Sequence, residues 1–104
     1  MKAAVLHTVN KSPFEKDSLN TCFRLARPGS EILLIEDAVY GALAGTRMEN
    51  LMRDALEKYT IFVLEADIEA RGIAPAALIP GVATVDYAGF VDLAVGNDCV
   101  QSWL

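Results

Sequence analysis

The sequence predicts an α/β fold of three layers, with helices on both faces of a mainly parallel, flavodoxin-like sheet of four to five strands. Two observations carry this. Residues 3–9 (AAVLHTV), 31–35 (EILLI) and 60–64 (TIFVL) are short, nearly continuous apolar runs, as expected of strands buried on both faces. Between them, apolar residues recur at helical spacing, and strands alternating with helices make right-handed βαβ units. The strand order does not follow from the sequence. With 104 residues and no linker, repeat or low-complexity segment, the chain fits a single domain spanning residues 1–104.

The elements follow in order. After the first strand, Ser12-Pro13-Phe14-Glu15 has the form of a capping box with proline at the first helical position, so a helix or helical turn opens there. Leu19, Cys22, Phe23 and Ala26 form a helical stripe that Pro28-Gly29 stops. Beyond the second strand, Asp37 can cap a short helical turn running to Ala44 and closed by Gly45. Ala38, Val39, Tyr40, Ala42, Leu43 and Ala44 leave that segment no polar face, which marks it as a candidate subunit interface.

Thr46-Arg47-Met48-Glu49 is a second capping box, and Met48, Leu51, Met52, Ala55, Leu56 and Tyr59 behind it make a regular helical stripe. Glu49 with Arg53 and Asp54 with Lys58 pair at i, i+4 on its other side. The 60–64 strand leads into a short helix at about 67–71 that Gly72 ends, a loop over 75–81 and a fourth strand at 82–85. Asp86 caps a last helix with the stripe Tyr87, Phe90, Val91, Ala94 and Val95, which Gly96-Asn97 ends. Residues 98–104 (DCVQSWL) read as a tail.

Composition narrows the function. Apolar residues make up 53% of the chain and mean hydropathy is +0.30, more than a small domain can hide. Some of that surface is expected beneath a partner subunit, so the isolated chain should not persist as a monomer. Nine basic against fourteen acidic residues give a net charge of −5. No Lys/Arg run offers the basic face that phosphate contacts need, which argues against direct nucleic-acid binding. No uncharged 18-residue apolar run and no signal-peptide core occur, and two cysteines do not form a disulfide framework, so the expected compartment is the cytoplasm.

In such a fold, ligand chemistry sits where strands end and helices begin. That edge carries His7, Thr8, Asn10 and Lys11, then Glu36 and Asp37, then Glu65 and Asp67, then Asp86 and Tyr87. The rim is acidic and no glycine-rich phosphate motif is present, which counts against a nucleotide or FMN. Asp37, Asp67 and Asp86 read first as helix N-caps. A receiver-type acidic metal pocket fails because His7-Thr8 stands where its acidic pair belongs. His7, the one histidine, either has a chemical role, tuning a nearby thiol or serving as an acid/base, or is a hydrogen-bonded structural residue at a strand end. No Cys/His spacing implies a metal.

The stretch LHTVNKSPF (residues 6–14) resembles the N-terminal signature of the TusB/DsrH family. The resemblance continues through SLNTC (18–22), LLIED (33–37), YGALAGTR (40–47), ARG (70–72), VDYAGFVDL (85–93) and a terminus ending near Trp103. Ala38 departs from it, standing where the family often has glycine. The resemblance implies the smallest of three homologous subunits in a dimer of heterotrimers, beside TusC/TusD- or DsrE/DsrF-like chains. It implies a persulfide relay to a TusE/DsrC-type carrier, serving tRNA wobble-uridine 2-thiolation or dissimilatory sulfur oxidation, with the principal relay cysteine on the largest subunit. Neither nucleic acid nor a membrane is an expected direct partner.

Persulfide transfer is attack of a thiolate on a sulfane sulfur and needs an accessible cysteine of lowered pKa, with no metal or organic cofactor. Cys22 is the candidate, since the DsrH branch has a cysteine in the first helix. Its place in the stripe with Leu19, Phe23 and Ala26 argues instead for an inert core thiol. The two roles, secondary persulfide site and packing residue, both stand at this point. Cys99 has no counterpart in the resemblance. The alternative to a relay subunit is a stand-alone flavodoxin-like domain binding a small ligand without catalysis.

Overall fold

In the computed structural model, which describes residues 4–104, five strands form one sheet: β1 (Val5–Val9), β2 (Glu31–Leu34), β3 (Thr60–Leu64), β4 (Ala83–Val85) and β5 (Cys99–Trp103). Their order is β4-β3-β2-β1-β5 and every pairing is parallel. Ala3, where the sequence pattern starts the first strand, lies outside the described residues. Helices α1 (Ser18–Leu25), α2 (Glu49–Leu56), α3 (Glu65–Ala70) and α4 (Tyr87–Gly96) connect the strands, with 3₁₀ segments at Glu36–Ala42 and Pro75–Ala77. The α/β sheet expected from the alternating pattern is therefore present.

The register sorts the side chains. His7 lies beside Ile32 and Val9 beside Leu34, and Ile32 and Leu34 lie beside Ile61 and Val63. Val9, Ile32, Leu34, Ile61 and Val63 share one buried cluster with Cys22 of α1, Met52 of α2 and Ile68 of α3. Leu6 and Leu33 point to the opposite face and are also fully buried. Connections β1→β2→β3→β4 all step one way across the sheet, whereas β4→β5 returns past them to the far edge. Right-handed crossovers then place α4 alone on the opposite face. A hydrogen bond from Asn97 Nδ2, just after α4, to Glu31 Oε1 at 2.9 Å agrees, because Glu31 shares that face with Leu6.

Several local expectations change. Residues 98–104 are not a tail. They hold β5, paired with β1 from Val5↔Cys99 to Val9↔Trp103. An edge strand with Gln101 and Ser102 exposed has no continuous apolar run to announce it. At Ser12 only one turn forms, with Glu15 and Lys16 N–H donating to the Ser12 carbonyl, and α1 starts at Ser18. The second capping box is shifted by one residue: Thr46 Oγ1 accepts from Met48 N–H, while Glu49 Oε1 reaches Gly45 N–H at 2.7 Å. Glu49 also pairs with Arg53 at 3.0 Å.

The expected interface segment, residues 37–44, is covered largely by the chain itself, with Tyr40 and Leu43 half-buried and Ala44 exposed. Ala38, Val39, Gly41 and Ala42 are buried within the chain itself, and a Cβ on Gly41 would stand 3.0 Å from both Leu19 Cδ2 and Pro13 Cγ. Its uniform apolarity comes from being covered by the chain's own helices. In α4 the apolar stripe splits: Phe90 and Ala94 are half-buried with Gly89 and Leu93, while Tyr87, Val91 and Val95 face solvent.

Candidate functional site

Cys22 is the fifth residue of α1, just past its first turn, on the face that also buries Leu19 and Phe23. It has no exposed surface. Burial pushes its thiol pKa up to about 12, the opposite of the lowered value that a sulfur nucleophile needs. Against the same helix, the Tyr59 hydroxyl lies 2.8 Å from both the Phe23 and Ala26 carbonyl oxygens and shares its single proton between them. Those carbonyls belong to the end of α1, where backbone acceptors lack helical partners. Phe23 and Tyr59 also stack with ring centroids 6.1 Å apart. Cys22 thus lies in the core between α1 and the sheet.

His7 does not reach the edge of the sheet. It sits in mid-β1, buried, and its Nδ1 accepts a hydrogen bond from Trp103 Nε1–H at 3.0 Å. Its proton is therefore on Nε2 in the neutral ring, and burial holds its pKa below the usual 6.5. Of the two roles open in the sequence, the hydrogen-bonded structural one matches this geometry. Cys99, on the edge strand, is exposed.

At the carboxyl edge only one of the three expected aspartate caps forms. Asp86 Oδ1 accepts from Gly89 N–H at 2.8 Å and starts α4. Asp67 lies inside α3 and accepts instead from Glu36 N–H at 2.8 Å. Glu36 there adopts φ +49°, a conformation costly for a residue with a Cβ. Asp37 is taken by Arg71, whose Nε and Nη2 reach its Oδ1 at 3.0 and 2.8 Å, while Nη1 donates to the Asp67 carbonyl at 3.0 Å. The rim formed by Glu36, Asp37 and Asp67 is thus tied down by one guanidinium that also lies over the Tyr40 ring. Arg71 and Trp103 are the organising residues that spacing rules missed. Asp67 is within local reach of Arg71 at i, i+4, but Asp37 lies 34 residues from Arg71 and His7 96 residues from Trp103, so no local pattern contains those two pairs. Among the described residues, no three His, Cys, Asp or Glu side chains gather as a metal site would.

Comparison with known proteins places the chain. The family described as DsrH like protein matches residues 11–100.

The chain belongs to the DsrH-like family.

Among its relatives, Protein TusB of Erwinia tasmaniensis is 38% identical over 100 residues, covering 95% of this chain and all of that protein. Protein TusB of Klebsiella pneumoniae is 33% identical over 99 residues with the same coverage. In structure the chain is similar to the ychN protein of E. coli, with TM-score 0.83 at 20% identity over 97% of this chain and 99% of that one. It is also similar to a Methanobacterium thermoautotrophicum protein of unknown function, with TM-score 0.69 at 12% identity over 95% and 96% of the two chains. These two likenesses bear on the fold, and they agree with the parallel sheet of this DsrH-like chain.

Proposed function

We propose that this DsrH-like chain is the small subunit of a cytoplasmic sulfur-relay assembly of the TusB type, working beside TusC- and TusD-type homologues and delivering sulfur to a TusE-type carrier for tRNA wobble-uridine 2-thiolation. The observation that carries the proposal is 38% identity to a TusB protein along that protein's whole length. Two free cysteines accord with a reducing setting, and among the described residues no helix is long and apolar enough to cross a membrane. The chain's own part is architectural. Its Cys22 packs α1 onto the sheet, and the relay thiolate belongs to a partner. A buried thiol raised to about 12 supplies almost no thiolate near neutral pH.

Reconstitution tests this. Purified TusC- and TusD-type subunits of the same organism, a sulfur donor and the carrier are combined with and without this chain, and carrier persulfide is followed by intact mass. Sulfur transfer that requires the chain supports the assignment. Transfer of equal rate and extent without it overturns it.

A further inference from the structure

The α4 helix is apolar on both sides. Toward the sheet it sets Phe90, Leu93 and Ala94, and toward solvent Tyr87, Val91 and Val95, which are 64%, 59% and 79% exposed. Their spacing of four residues makes one straight stripe along the helix. Val100 of β5 is 45% exposed and points to the sheet face that α4 crosses, being in register with Leu6. Beside it runs the free edge of β5, five residues with neither a charge nor a proline to block strand addition. The stripe and Val100 thus expose apolar side chains on the same face of the sheet, with the open edge of β5 at its border.

Its charge identifies the occupant. From Gly72 to Leu104 the sequence has no Lys or Arg, while Asp86, Asp92 and Asp98 flank α4 and interrupt its outer side. A twofold pairing of this surface with itself brings the aspartates of both copies to the rim, with no Lys or Arg from residues 72–104 to offset them. We infer that the outer face of α4, with the edge of β5, docks a different subunit that presents an apolar patch rimmed by Lys and Arg. This rests on the relay-subunit proposal and names the face through which it assembles. Desolvated apolar contact would supply the affinity, and the aspartate rim would select a basic partner over a second copy.

The experiment co-expresses the chain with tagged TusC- and TusD-type subunits and measures its retention by affinity capture and sizing. Val91→Glu/Val95→Glu alters only outward side chains of α4, and Leu25→Glu changes an exposed leucine on α1 as control. Circular dichroism on each variant checks folding. Retention is expected to drop at least tenfold for the double variant, to stay unchanged for Leu25→Glu, and to weaken for Asp92→Lys and with rising salt. A folded double variant retained like the wild type overturns the inference and leaves the relay proposal standing. So does a Val91→Cys chain that cross-links to itself in the presence of both partners. If the wild type is not retained by either subunit, the relay proposal fails and this inference fails with it. If the double variant does not fold, Asp92→Lys and the Val91→Cys cross-link decide. Unchanged retention or a self-cross-link overturns the inference, while weakened retention with a cross-link to a partner supports it.

Discussion

The indole N–H of Trp103 donates to Nδ1 of His7 at 3.0 Å, joining residues 96 positions apart in the chain. The bond ties the edge strand β5 to β1 on the core face and requires the imidazole to be neutral, since a protonated Nδ1 cannot accept. Burial lowers the His7 pKa from 6.5 in the same direction. The unfolded chain therefore takes up this proton first as pH falls. The stability that neutral His7 contributes is complete above about pH 6.5 and is lost below it. Melting temperature should fall as pH drops below about 6.5, and His7→Gln should flatten that part of the profile. A wild-type profile flat over this range contradicts the role given to the pair. Trp103→Phe should cost about 1–2 kcal/mol by leaving Nδ1 unpaired.

Tyr59 closes the end of α1 through its hydroxyl at 2.8 Å from the Phe23 and Ala26 carbonyls. Tyr59→Phe keeps the ring stacking and removes only the donor. The expected loss is about 1–2 kcal/mol in urea unfolding, the cost of leaving buried carbonyls unpaired. A change below the precision of that measurement contradicts the capping role.

Arg71 holds Asp37 and the Asp67 carbonyl together at the sheet edge. Asp37 is more than half exposed, so solvent screens much of the attraction. Arg71→Ala should therefore cost only about 1 kcal/mol, and less in high salt. Arg71 holds Asp37, the residue after Glu36, and lies 3.7 Å from the Asp67 carboxylate that accepts the Glu36 N–H and so braces its left-handed conformation; backbone exchange at 36–38 should therefore speed up in the variant. Unchanged exchange there argues against the brace.

The parts of this fold legible in the sequence are those that bury both faces. β2 and β3 lie mid-sheet and read as unbroken apolar runs, and α2 keeps the spacing its core face requires. β5 escaped notice because an edge strand needs no such run. Apolarity all round, as at Glu36–Ala42, marks full cover without saying whether the chain or a partner provides it; here the chain itself buries Ala38, Val39, Gly41 and Ala42. The same ambiguity hid the outward stripe of α4. Asp37 and Asp67 looked like caps because short acidic side chains near strand ends usually are. The partners they take across the fold, Arg71 for Asp37 and the Glu36 N–H for Asp67, are set by tertiary placement.

Cys22 and Cys99 should differ sharply in reactivity. Cys99 is exposed, while Cys22 is enclosed with its pKa raised to about 12. Alkylation of the native protein is expected to stop at one label per chain, on Cys99, with Cys22 reacting only in denaturant. Rapid double labelling under native conditions contradicts a core assignment. Cys22→Ala should cost about 1–2 kcal/mol through the small cavity it leaves.

The most direct test of the account is sulfur delivery by the assembled complex carrying Cys22→Ala in this chain. Carrier persulfide, followed by intact mass, should form at close to the wild-type rate, while leaving the chain out abolishes it. If the assembly forms normally yet Cys22→Ala stops sulfur from reaching the carrier, the chain is a relay station through its own thiol and the architectural account is wrong.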